Sequence, residues 1–151
     1  MRHEDLLDEN SAISRTGAML GERWVFAVLR ASYFRARTFE DYAAATGIAR
    51  NVLADRLRRL VEYGILEKRP YEQRGNRTRS EYRLTDAGLE LYPVIVAMMQ
   101  WGNRYAGFDK GPPVVLRHRT CGEISEPRMV CDKCGEEIHA REMQPMPGPG
   151  A

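Results

Sequence analysis

The chain has 151 residues, enough for one compact domain and a small appendage but not for two full-sized domains. Hydrophobic residues at 43% and charged residues at 29% fit a soluble globular protein. No apolar run approaches the roughly 20 residues that cross a bilayer, and the polar start Met1–Asp5 leads into no signal-peptide core, so the expected location is cytoplasmic, with no membrane partner.

The net charge of +2 is unevenly spread. Residues 48–84 carry ten Lys/Arg against five Asp/Glu, a net +5, while the segments before and after carry −1 and −2. Positive charge concentrated in 37 residues is the pattern of a segment that meets a polyanion; a solvated basic face would give the same count.

In chain order, residues 1–10 are polar and expected to be flexible. From Ser11, Ile13, Met19 and Leu20 predict a short helix stopping near Gly21. Trp24, Val25, Ala27, Val28 and Leu29 predict a second helix, buried on most sides. Thr38 followed by Asp41 resembles a capping box, with Asp in place of Glu, opening a helix from Phe39 to Thr46 that Gly47 closes. From Ala49 to Tyr63, Leu53, Leu57 and Leu60 recur at i, i+4 and i+7, forming one apolar stripe. Asn51, Asp55, Arg58 and Glu62 fall opposite, with Ala54 and Arg59 at the flanks.

After Gly64 the pattern becomes extended. Ile65–Arg69 and Ser80–Leu84 predict the strands of a hairpin whose loop, Glu72–Arg79, is basic and contains Gly75 and Asn76. Thr85 can cap a final helix running to about Tyr105, which Pro93 should kink or split. Gly107–Pro113 reads as a linker and Met143–Ala151 as a Pro/Gly-rich disordered tail. The expected organisation is therefore a flexible N-terminus (1–10), a folded and dimerising domain (11–107), a C-terminal extension (108–142) and the tail (143–151).

Two short helices joined by a tight glycine turn and followed by a β-hairpin describe a winged helix-turn-helix, mainly α with a small β wing. The major groove, about 12 Å wide, admits one helix, so the second helix must present polar groups. The candidate DNA-contacting residues are Arg50, Asn51, Ala54, Arg58 and Arg59 on that helix, and Arg74, Asn76, Arg77 and Arg79 on the hairpin. Asn51 suits base edges, and the arginines suit guanine or phosphate. Arg58 and Arg59 could equally be solvated helix residues. Arg56, at the edge of the stripe, could pair with an internal carboxylate, and Asp55 reads as a salt-bridge partner.

These stretches resemble the HxlR family of bacterial winged helix-turn-helix regulators. The resemblance rests on Leu20–Trp24, Gly47–Leu60, Tyr63–Arg69, Glu81–Gly88 and Gln100–Gly102, in order and sensibly spaced across residues 11–106. It implies a homodimer held by the first and last helices, one recognition helix per half-site, and action as repressor or activator. Many members sense oxidants or electrophiles through a cysteine in the first helix. Ser11 stands at that position here and residues 1–120 hold no cysteine, so such a switch is unsupported. An apolar pocket between the last helices could hold a small-molecule effector, though no residue identifies one.

All three cysteines lie in the last third. His118-x₂-Cys121-Gly122 and Cys131-x₂-Cys134-Gly135 are two similar ligand pairs, each followed by glycine, as in zinc knuckles. The reading is a structural Cys₃His zinc site in a zinc-ribbon-like extension. His139 is a rival fourth ligand, and a reduced metal-free tail or a redox-sensing thiol cluster remain alternatives. Four protein ligands leave no open position for catalysis. No phosphate loop or nucleophile–base arrangement is evident, so an enzyme is not expected. The competing reading is an interaction module in which the winged helix and zinc hairpin bind a protein and not DNA.

Overall fold

The structure, a computed structural model, describes residues 6–7, 10–73 and 77–150, without the side chains of 72, 73 and 77–79. Six helices and one antiparallel hairpin are formed among the described residues, in the order α1 (Ala12–Leu20), α2 (Val25–Tyr33), α3 (Phe39–Thr46), α4 (Arg50–Glu62), β1 (Leu66–Gln73), β2 (Arg77–Leu84), α5 (Asp86–Glu90) and α6 (Tyr92–Tyr105). Residues up to Ile95 make one compact unit and those from Val96 a second.

Local signals account for most boundaries. Ser11 Oγ accepts the Ser14 amide at 3.2 Å to open α1. The capping box of α3 is complete: Thr38 Oγ1 accepts the Asp41 amide at 3.2 Å, and Asp41 Oδ2 accepts the amides of Thr38 (2.8 Å) and Arg37 (3.0 Å). Those backbone amides hold the Asp41 carboxyl below its ordinary range. Gly47 then closes α3 in the left-handed conformation, φ 65°. Trp24 is the exception: it precedes α2 with φ 79°, where a bulky side chain is strained. The Arg23 guanidinium sits over its ring at 4.6 Å.

One apolar core joins these elements. Val28, Leu29 and Val25 of α2, Tyr42 of α3, Leu53, Leu57 and Leu60 of α4, and Ile65 and Leu66 at the hairpin are buried together. Complete burial of a leucine side chain is worth roughly 1.5–3 kcal/mol, so the stripe of α4 is what fixes its roll against α2. The hydroxyl of Tyr42 is satisfied in the interior by Ser32 Oγ at 2.8 Å, and Ser32 also donates to the Val28 carbonyl. Tyr82 meets Tyr42 edge-on at 6.0 Å, and its amide donates to the Arg37 carbonyl at 2.7 Å, tying the wing to the start of α3.

Two details differ from the sequence expectation. The strands are longer than Ile65–Arg69 and Ser80–Leu84, because pairing continues through Pro70 opposite Ser80 as far as Gln73 opposite Arg77. A two-stranded sheet leaves both strands an open edge, so a residue without an N–H is tolerated. The final helical stretch does divide, but at Leu91, and Pro93 lies in the first turn of α6, where a missing N–H costs little. Gly88 in α5 has a packing reason: a Cβ there would come within 2.2 Å of the Ile65 carbonyl oxygen. Tyr33 donates to the Gly88 carbonyl at 2.5 Å, fixing α5 to α2.

Candidate nucleic-acid interface

The turn Gly47–Ile48–Ala49 hands the chain from α3 to α4 with Ile48 buried as its anchor. Burying Leu53, Leu57 and Leu60 turns the opposite face outward. Asn51, Ala54 and Arg58 are all exposed, and the Asn51 amide has no partner among the described residues. These three share one face, as their spacing requires.

The four arginines of α4 fall into two groups. Arg50 and Arg58 are outer. Arg50 is held bidentately by Glu40 of α3 at 2.9 and 2.7 Å and lies 4.7 Å over the Phe39 ring. Arg58 bridges Asp55 at 2.5 Å and Glu62 at 2.6 Å. Both outer pairs are well exposed, and solvent weakens such contacts enough for a phosphate to compete. Hydrogen bonding to Arg58, ahead of the other arginines, holds Asp55 below its usual range.

Arg56 and Arg59 are inner. Arg56 Nη1 lies 2.6 Å from Glu22 Oε2, and its Nε donates to the Arg23 carbonyl at 3.0 Å. Arg59 pairs with the other oxygen of Glu22. Arg59 is thus placed away from the face that carries Asn51 and Arg58, whereas Arg56 pairs internally as its position suggested. The pairing of Glu22 and Glu40 with these arginines is not readable in the sequence: they lie 37 and 10 residues from Arg59 and Arg50, distances that no helical repeat links.

On the wing, Arg77 and Arg79 belong to β2, paired in register with Gln73 and Tyr71, and are not part of a loop as the sequence suggested. Arg74 and Asn76 lie outside the described residues.

The second unit builds the same turn twice. His118 N–H donates to the Glu123 carbonyl (2.9 Å) while Gly122 N–H returns to the His118 carbonyl (2.8 Å). Thirteen residues on, Cys131 N–H donates to the Glu136 carbonyl (2.8 Å) and Gly135 N–H returns to the Cys131 carbonyl (2.9 Å). Gly122 and Gly135 share positive φ, 78° and 76°, and each turn is closed by a short bridge, Arg117 to Ile124 and Val130 to Glu137. His118 Nδ1 and Cys121 Sγ stand 3.4 Å apart. The Cys131 thiol is lowered by the backbone amides of Cys134 and Lys133 and by the Cys134 side chain. Both turns are therefore formed, but no three His, Cys, Asp or Glu side chains among the described residues converge on one point. His139 donates its own amide to Glu142 Oε2 at 3.2 Å.

No helix among the described residues is long and apolar enough to cross a membrane. Comparison with known proteins agrees with the helix–turn–helix and wing geometry. The family model for HxlR-like helix-turn-helix proteins matches residues 19–110. An uncharacterized HTH-type transcriptional regulator of Mycobacterium tuberculosis is 46% identical over 142 residues, covering 94% of this chain and 89% of its own. The crystal structure of PA1607, described as a candidate transcription factor, superposes with a TM-score of 0.83 at 28% identity, covering 94% of this chain and 98% of that one. A second candidate transcription factor, PA1374 from Pseudomonas aeruginosa, gives 0.65 at 32% identity, covering 93% and 94%. This chain belongs to the HxlR-like helix-turn-helix family of transcriptional regulators.

Proposed function

We propose that this regulator reads double-stranded DNA by laying the outer face of α4 in the major groove, with Asn51 and Ala54 toward base edges and Arg50 and Arg58 toward phosphate or guanine. The observation that carries this is the exposed row Asn51, Ala54 and Arg58 opposite a fully buried leucine stripe. An unengaged amide beside cations in weak, exchangeable pairs is the chemistry that reading a groove requires. The wing, with Arg74, Asn76, Arg77 and Arg79, supplies backbone or minor-groove contacts. Arg59 is left out of this set because Glu22 holds it.

The acting form is a homodimer. Ile13 on α1 is 86% exposed beside an open apolar groove of about 450 Å³ lined by Leu20, Phe26 and Val94. On α6, Met98, Trp101 and Tyr105 are exposed apolar side chains that an isolated chain would leave in water. Hydroxyl-radical footprinting on the chain's own upstream DNA tests both points. The expected result is two protected patches one helical turn, about 34 Å, apart; binding of a protein partner without any protected duplex would favour the interaction-module reading.

The extension binds one structural zinc ion through His118, Cys121, Cys131 and Cys134. Support comes from the duplicated turn, each copy closed by a positive-φ glycine, from the 3.4 Å approach of His118 Nδ1 to Cys121 Sγ, and from a donor set suited to zinc. Bound zinc would cross-link the two turns. Near-stoichiometric zinc in the intact chain and loss in C134A are the expected results; a metal-free intact chain would contradict the assignment.

A further inference from the structure

The inner arginines of α4 answer to a residue outside the helix-turn-helix segment. Glu22 lies in the turn between α1 and α2, with its side chain only 15% exposed. One oxygen meets Arg56 Nη1 at 2.6 Å and the other meets Arg59, and Asp55 Oδ2 pairs with the same Arg56 nitrogen at 2.5 Å. The Arg23 carbonyl next to it takes the Arg56 Nε, and Trp24, strained at φ 79°, fixes the path of that turn. Arg59 Nε stands 3.4 Å from Asp55 Oδ2 yet is buried without a well-directed hydrogen bond, so Glu22 supplies its principal hydrogen-bonded partner. A sheltered carboxylate shared by two guanidinium groups is harder for phosphate to displace than the exposed partners of Arg50 and Arg58.

We propose that Glu22 is a specificity-determining residue: it withholds Arg59, and together with Asp55 withholds Arg56, from DNA phosphates, so that sequence is read by the outer face of α4 alone. The inference rests on the reading in which α4 enters the groove. Phosphate contacts raise affinity for every sequence alike, whereas base contacts discriminate. A recognition helix free to use all four of its arginines would bind any duplex more tightly and discriminate less. Glu22 thus lowers indiscriminate binding, while the buried leucine stripe holds the reading face in register.

The test compares wild type with E22Q, which keeps the side-chain shape and removes the charge. Two probes are used: a duplex enriched by wild type from a random library, and a random-sequence duplex of equal length. Both proteins are assayed at a temperature where circular dichroism shows them folded. E22Q is expected to bind the random duplex more tightly, with a salt slope steeper by about 1 as Arg59 gains a phosphate while Asp55 keeps Arg56, and to lose about tenfold in its preference for the enriched duplex. E22Q/R59Q should return the salt slope toward wild type. If Glu22 only stabilised the fold, both affinities would fall with the folded fraction and the slope would not change; that result, or an unchanged preference, overturns the inference. Failure of wild type to enrich any sequence would instead sink the reading of α4 itself.

Discussion

The two units of this chain are held together by different physics. Up to Ile95 the chain buries a continuous apolar core, with Leu29, Leu53, Leu57 and Tyr42 removed from water. From Val96 onward, Val96 itself is the one buried hydrophobic side chain among the described residues, and Val115, Ile124, Met129 and Val130 are exposed. What the second unit has in place of a core is hydrogen bonding: two copies of one turn, their short bridges, and side-chain bonds such as Gln100 Nε2 to the Pro127 carbonyl at 2.8 Å. A segment of that size without a core ordinarily needs a staple. The first unit has a core and needs no staple; for the second, the zinc ion proposed above would supply it.

The largest effect expected from breaking that contrast is chelation. Removing zinc with a strong chelator should open residues 108–142 to protease within minutes while leaving the melting of the first unit unchanged. Equal protease resistance with and without chelator would remove the distinction. Next in size, L57A should destabilise the first unit by about 3 kcal/mol in urea, through lost burial plus a cavity, with no change in zinc content. A loss below about 1 kcal/mol would mean the stripe is less tightly packed than its burial implies.

A smaller effect concerns acid. Asp41 is held below its ordinary range, chiefly by the backbone amides of Thr38 and Arg37, so its contribution is complete above its unfolded value of about 3.9. That contribution is lost as pH falls through the lower folded value. D41N should therefore be less stable than wild type at neutral pH, and the gap should narrow below about pH 4. A pH-independent difference would show that the capping box does not act through the charge of Asp41.

The fold was largely legible because its signals are local. The leucine spacing of α4, the Thr38–Asp41 box and Gly47 each fix a boundary within a few residues of sequence. The length of the hairpin was not legible, since Pro70 looks like a strand terminator until the two-stranded sheet shows that its edge is open. The site was legible by half. Asn51, Ala54 and Arg58 follow from helical geometry, but which arginines are free depends on Glu22 and Glu40, brought close only by tertiary packing. The cysteine spacing announced two similar turns, and the structure forms both; it does not bring His118, Cys121, Cys131 and Cys134 onto one centre.

The most direct measurement is the salt dependence of duplex binding for wild type, R58A and R59A. If the outer face of α4 meets DNA, affinity falls steeply with salt, and R58A lowers the slope by about 0.9 for the phosphate contact it loses. R59A, whose arginine is bound to Glu22, leaves the slope unchanged. Equal slopes in wild type and R58A, or a loss confined to R59A, would contradict the account.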